Sequence, residues 1–135
     1  TLDRSSAASD VYKRQLEEIA SGPASAAWAQ QQGWTGATGE DLARDAAAGD
    51  AIARAAIERS AKAVGEALAD AATLVDLDMV AIGGGFSRVS ADYIDLVQQA
   101  LTASAAHEYS RRTRVVRSGL GDEGPLIGAA ALVLR

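Results

Sequence analysis

Four apolar residues run directly into three glycines in Met79-Val80-Ala81-Ile82-Gly83-Gly84-Gly85-Phe86-Ser87, and this stretch restricts the chain more than any other. A short apolar run broken by glycines predicts a buried strand ending in a tight turn with exposed backbone. Consecutive glycines carry no Cβ, so a flat ligand or a second backbone can come close and a positive φ costs little. Ser87 stands where it could cap the element that follows. Turns of this kind, between a strand and a helix, are common resting places for nucleotides. They are also an ordinary way to reverse a chain. Motif spacing does not decide between the two. Arg88 stands where G-x-G-x-x-G would need its last Gly, and no G-K-[ST] follows.

The segment before this strand predicts the longest helix. Between Asp50 and Val75, the residues Ile57, Ala61, Val64, Leu68, Ala71 and Val75 recur at helical spacing, with Arg54, Glu58, Arg59, Lys62, Glu66 and Asp70 opposite. Glu58 and Lys62 stand at i,i+4 and predict a surface pair. Gly65 costs ~1 kcal/mol against Ala in mid-helix, so it predicts close approach of another element, with drift as the other reading. Upstream, Leu16, Ile19 and Ala20, then Ala24, Ala27 and Trp28, predict two helical pieces split at Ser21-Gly22-Pro23. Ser21 or Gly22 would cap the second, which runs to about Gln32. Thr38 and Asp41 form a capping box with Asp in place of Glu, predicting a short helix from Gly39 to Ala48, ended by Gly49 and followed by a cap at Asp50. Downstream, a helix is predicted from Ser90 with Tyr93, Ile94, Val97 and Leu101 on one face, and a strand over Arg114–Arg117. Ser118–Gly124 reads as a Gly-rich acidic loop, and Leu126–Leu134, behind Pro125, as an apolar helix.

This order is an α/β pattern with too few strands to close a sheet of its own, so an incomplete lobe is expected over residues 16–135. Thr1–Gln15 is polar, aperiodic and without a starting Met, and is expected to be a disordered or non-native lead-in. Its Ser9–Gln15 part resembles a translated sequencing-adaptor tail.

Composition closes off several functions. A net charge of −5 argues against a nucleic-acid surface. The chain has no Cys, hence no disulfide or thiolate metal site, which fits a cytoplasmic location. No run approaches ~18 apolar residues, so no membrane span is expected. Aromatic residues make up only 4% and Ala is abundant, so helices can pack closely with few large side chains between them. Among candidate chemical groups, Glu17 and Glu18 read either as acids or bases or as favourable charges at a helix start. Asp122 and Glu123 read as helix charges rather than phosphate ligands, and His107, with no partner pattern, as a surface residue. Arg111, Arg112, Arg114 and Arg117 form a local basic patch, expected as a solvated edge or an anchor for the acidic loop.

Leu16–Ala24, Leu74–Gly85 and Gly121–Ala130 together, in this order and at this spacing, resemble the C-terminal half of the ROK family of bacterial sugar kinases and sugar-responsive repressors. The resemblance implies an α/β, helix-rich and incomplete C-terminal lobe of an actin-like, hexokinase-like (ribonuclease H-like) ATPase fold. It implies that the parent is a glucokinase-like enzyme transferring a phosphoryl group from ATP to a hexose hydroxyl, with Mg²⁺. The alternative is the sugar-sensing lobe of a repressor, against which the unbroken Gly83–Gly85 weighs. In the family this turn lies on the adenosine side of the ATP site, a role that falls here on Gly83, Gly84, Gly85 and Phe86. The Glu that follows the family's zinc-binding cysteine cluster contacts the sugar, and Glu17 occupies its place. Gln15 stands where the cluster has its final Cys, and the other ligands have no counterpart, so structural zinc is not supported. The phosphate-binding glycine loop and the catalytic Asp also have no counterpart, so no catalytic residue is assigned and no turnover is expected from this chain alone. Family members are often dimers or tetramers, which implies a homo-oligomer.

Overall fold

The computed structural model describes residues 14–120. The expectations for residues 1–13, for the acidic loop beyond Leu120 and for the helix behind Pro125 lie outside these residues. In chain order the elements are α1 (residues 14–20), α2 (Gly22–Gln31), α3 (Gly39–Ala47), α4 (Ala51–Leu74), β1 (Met79–Ile82), a 3₁₀ turn (Gly85–Arg88), α5 (Tyr93–Ser104), α6 (Glu108–Arg111) and β2 (Arg114–Arg117).

Helix starts follow the local chemistry of the sequence. The Ser21 hydroxyl accepts from the Ala24 N–H at 3.3 Å, with Pro23 in the first turn of α2. Thr38 and Asp41 exchange side-chain and backbone hydrogen bonds, both 3.1 Å, to form the capping box of α3. Asp50 accepts from the Ala53 N–H at 2.8 Å and starts α4. Caps of this type contribute ~1 kcal/mol each. Helix α5 begins at Tyr93 rather than Ser90, because the 3₁₀ turn carries the chain to Arg88 and Asp92 takes the flanking position.

The face that α4 buries differs from the one its large apolar residues predict. Ala53, Ala56, Ile57, Ser60, Ala61, Gly65, Ala69 and Ala72 are buried. Val64, Leu68 and Ala71 are only half-buried, and Val75 is 64% exposed. Small residues win because α5 lies close along them. A Cβ on Gly65 would stand 2.6 Å from the Val97 carbonyl oxygen and 2.8 Å from the Leu101 nitrogen. Val97 and Leu101 are themselves fully buried. Gly65 is therefore a contact point, as its cost in mid-helix implies. The expected Glu58–Lys62 pair does not form. Glu58 is taken by Arg54 at 2.7 Å and Lys62 pairs with Glu66.

Strands β1 and β2 pair in parallel, Met79 opposite Arg114 and Ile82 opposite Arg117, with α5 and α6 in the connection between them. The Arg114 and Ser118 N–H groups donate to the Asp78 and Ile82 carbonyls at 3.0 and 2.8 Å. Even-numbered residues of both strands thus face the ladder, and odd-numbered ones face outward. On the outer side of β2, the Gln98 amide accepts from the Val115 N–H at 2.7 Å and donates to the Thr113 carbonyl at 3.1 Å. The buried strand expected at Met79–Ile82 is instead alternately exposed and half-buried, with Met79 54% exposed. Ile82 and Val115 pack on the core that includes α5, while the face carrying Met79 and Ala81 has no such cover among the described residues.

Gly65→Ala tests the α4–α5 contact. Helix propensity alone favours Ala by up to ~1 kcal/mol. With no room for the methyl group, a net loss of about 1–3 kcal/mol in urea unfolding is expected. A variant more stable than the native chain would contradict the close approach.

Candidate functional site

The chain leaves β1 through Gly83 and turns at Gly84, whose φ of 89° lies in the left-handed region where an L side chain is strained. Ser87 closes the turn on itself, its N–H and hydroxyl both donating to the Gly84 carbonyl at 3.2 and 2.7 Å. Its side chain is therefore spent backwards and does not cap α5, contrary to the expectation for that position. Arg117 on β2 donates to the Ser87 carbonyl at 3.3 Å and ties the turn to the sheet. Arg111 likewise donates to the Ala105 carbonyl at 3.2 Å, so two of the four basic-patch residues hold backbone.

Phe86 reaches from this turn across two helix starts. A Cβ would stand 3.2 Å from its ring at Gly22, the first residue of α2, and 3.3 Å at Gly39, the first residue of α3. Both starts are glycine because the ring lies over them. Its edge meets Tyr93, ring centroids 5.8 Å apart at 76°. Tyr93 is fixed in turn. The Ser60 hydroxyl spends its one proton on the Ala20 carbonyl at 2.7 Å, so the Tyr93 hydroxyl donates to Ser60 at 2.9 Å. Burial raises the Tyr93 pKa, keeping it a neutral donor.

Beside the Phe86 ring lies an open cavity of about 560 Å³. One wall is the turn, with Gly85, Phe86, Arg88 and Val89; a second is the start of α2, with Gly22 and Pro23. The third is the start of α3, with Ala37, Thr38, Gly39, Glu40 and Ala43. Of the residues given a binding role from the sequence, Gly85 and Phe86 line this cavity. Gly83 and Gly84 lead into it, Gly83 with its Cα side toward Ser118 and Gly84 facing open space. Glu17 is exposed on α1, outside the lining, its carbonyl accepting from the Ser21 N–H at 3.2 Å. His107 is exposed and stacks on Tyr109 at 5.3 Å.

Sequence reasoning did not bring Gly22, Thr38, Gly39, Glu40 or Arg88 to this site. Glycine at the first position of two successive helices was the available signal. The α3 acids divide by use. Asp41 accepts from the Ala37 and Thr38 N–H groups at 3.0 and 3.1 Å, which hold its pKa below the usual carboxylate value, and it also pairs with Arg44. Asp45 accepts from Arg44 and from the Trp34 indole, each at 2.9 Å. Glu40 has no hydrogen bond or ion pair to another described residue. Among the described residues no group of three or more His, Cys, Asp or Glu side chains is placed to hold a metal. Nor is any helix among them long and apolar enough to cross a membrane.

Just past the turn, Arg54 on α4 holds Asp92 through two bonds of 3.0 and 2.8 Å and lowers its pKa to about 2 from 3.8.

The fold is similar to that of solved sugar-kinase structures. A protein of Cytophaga hutchinsonii ATCC 33406 described as a candidate sugar kinase matches over 89% of the chain at a TM-score of 0.75 and 22% identity. A ROK family glucokinase from Streptomyces griseus, solved with glucose and AMPPNP, matches over 87% at a TM-score of 0.76 and 27% identity. The fold is thus a helix-rich α/β part of a sugar-kinase lobe. The chain spans less than half of either structure, 44% and 43%. It belongs to the ROK family, whose model matches residues 12–135. No curated protein matches it.

The Asp92 pair makes stability pH-dependent. A depressed carboxylate pKa stabilises the fold above the unfolded value, and that contribution fades as pH falls from about 4 through 2. Asp92 and Arg54 are 44% and 37% exposed, so solvent limits the pair to about 1 kcal/mol or less. Urea unfolding at pH 7 and pH 3 should show Asp92→Asn less stable than the native chain at pH 7 and closer to it at pH 3. An equal gap at both pH values would remove the pair from the account.

Proposed function

We propose that the chain is the adenosine-binding part of an ATP-dependent sugar kinase of glucokinase type, with Gly83, Gly84, Gly85 and Phe86 as the adenosine wall. The observation that carries this reading is the cavity onto which the glycine turn opens. Its volume, about 560 Å³, lies in the range of small-molecule sites. Phe86, Val89, Ala43 and Pro23 offer apolar surface for a flat base. Gly85 leaves open space where a ribose and its phosphates can pass close to backbone, and Arg88 adds positive charge. The Streptomyces griseus glucokinase, solved with glucose and AMPPNP, supports the same assignment.

In this reading Glu17 contacts the sugar hydroxyls, and α1 is held for that purpose by the bonds from Ser60 and Arg59 to the Ala20 and Ile19 carbonyls. Mg²⁺ would accompany the ATP, but the described residues offer no carboxylate cluster for it, so no step is routed through it. A cytoplasmic, homo-oligomeric parent belongs to the same reading. The intact turn and its open cavity favour a kinase over a sugar-sensing repressor.

The chain is expected to bind AMPPNP in calorimetric titration and to show no glucose-dependent ATP consumption. Measurable consumption would refute the division of labour proposed here. A Cβ at Gly85 meets nothing within 4 Å, so Gly85→Leu should fold normally by circular dichroism while its side chain takes up space beside the turn that the nucleotide would need. Loss of about tenfold or more in AMPPNP affinity is expected. Unchanged affinity would move the nucleotide elsewhere.

A further inference from the structure

Among the described residues the cavity has one carboxylate in its lining, and that carboxylate has no hydrogen bond or ion pair to the others. Of the three acids on α3, Asp41 and Asp45 are held by backbone, indole and guanidinium donors, while Glu40 has no such partner. It stands on the α3 wall of the cavity, one helical turn before Ala43, which also lines it. A nucleotide whose sugar and phosphates run along Gly84 and Gly85 presents the far edge of its base to that wall. The phosphates are then kept away from the carboxylate, as like charges require.

We propose that Glu40 reads the base, its carboxylate accepting a hydrogen bond from the exocyclic amine of adenine. Thr38 supplies the complementary group. Its hydroxyl oxygen accepts from the Asp41 N–H at 3.1 Å, which leaves its proton to donate. A donor at Thr38 beside an acceptor at Glu40 matches the adenine edge, where N1 accepts and the amine donates. Inosine reverses that pattern, offering an N1–H and an oxygen acceptor. The carboxylate would face that oxygen at a cost in unpaired polar groups.

This inference rests on the nucleotide reading above, and one set of calorimetric titrations separates the two. Adenosine, inosine, guanosine and AMPPNP are titrated into the native chain and into Glu40→Gln. If none binds the native chain, the nucleotide reading itself fails. If Glu40 reads the base, adenosine binds the native chain about five- to tenfold more tightly than inosine, the worth of one rim-exposed hydrogen bond to a charged group. In Glu40→Gln that gap closes, and adenosine and AMPPNP weaken by about the same factor, since the lost contact is to the base they share. If Glu40 only places negative charge at the start of α3, the substitution leaves adenosine unchanged and tightens the anionic AMPPNP. That result overturns the proposal. Equal native affinities for adenosine and inosine, or tighter binding of guanosine than adenosine, overturn it as well. Glu40 is exposed and unpartnered, so the variant is expected to fold, and urea unfolding checks that it does.

Discussion

The approach of α5 onto the small-residue face of α4 is the constraint on which the rest depends. At Gly65 the two backbones come within the space of a missing methyl group. That closeness fixes α5 in height and rotation, and α5 then distributes the fixing to other parts. Its first residue, Tyr93, carries the hydroxyl chain through Ser60 to the Ala20 carbonyl and the ring against Phe86. Its middle residue, Gln98, holds β2. A core so poor in large side chains can be specific only if its backbones lie close, because dispersion contacts fall away quickly with distance.

Phe86 plays the corresponding part at the cavity. Its ring covers two glycines that begin separate helices, so the glycine turn, α2 and α3 share one corner. The polar groups around it are nearly all committed: Ser21, Thr38 and Asp41 to helix starts, Ser87 to its own turn, Asp92 to Arg54. Against that background Glu40, exposed on the cavity wall, is the carboxylate of the described lining that these contacts leave unused.

What could be read from the sequence was what depends on neighbours a few residues apart. The caps at Ser21, Thr38 and Asp50, the extent of α4 and both strands follow from side chains acting on adjacent backbone. The three motif stretches led to the ROK family, whose model covers residues 12–135. What was misread depends on partners far along the chain. Val64 and Leu68 outweigh Ala and Gly in any apolar period, yet a neighbouring backbone selects the small residues. Glu58 had two equally spaced cations to choose from, and Arg54, already anchored on Asp92, took it. The cavity joins segments near residues 22, 38 and 86, so no local window contains it, and only Gly85 and Phe86 of its lining were anticipated.

Gln98 carries a consequence for the sheet as a whole. By taking the outward Val115 N–H of β2 and the carbonyl of Thr113 just before it, its amide imitates the start of a next strand and covers the beginning of that edge. The opposite edge, along Met79 and Ala81, belongs to a strand without a single charged or proline residue. Among the described residues the two edges of the sheet therefore differ, β2 being partly covered by Gln98 and β1 uncovered along Met79 and Ala81.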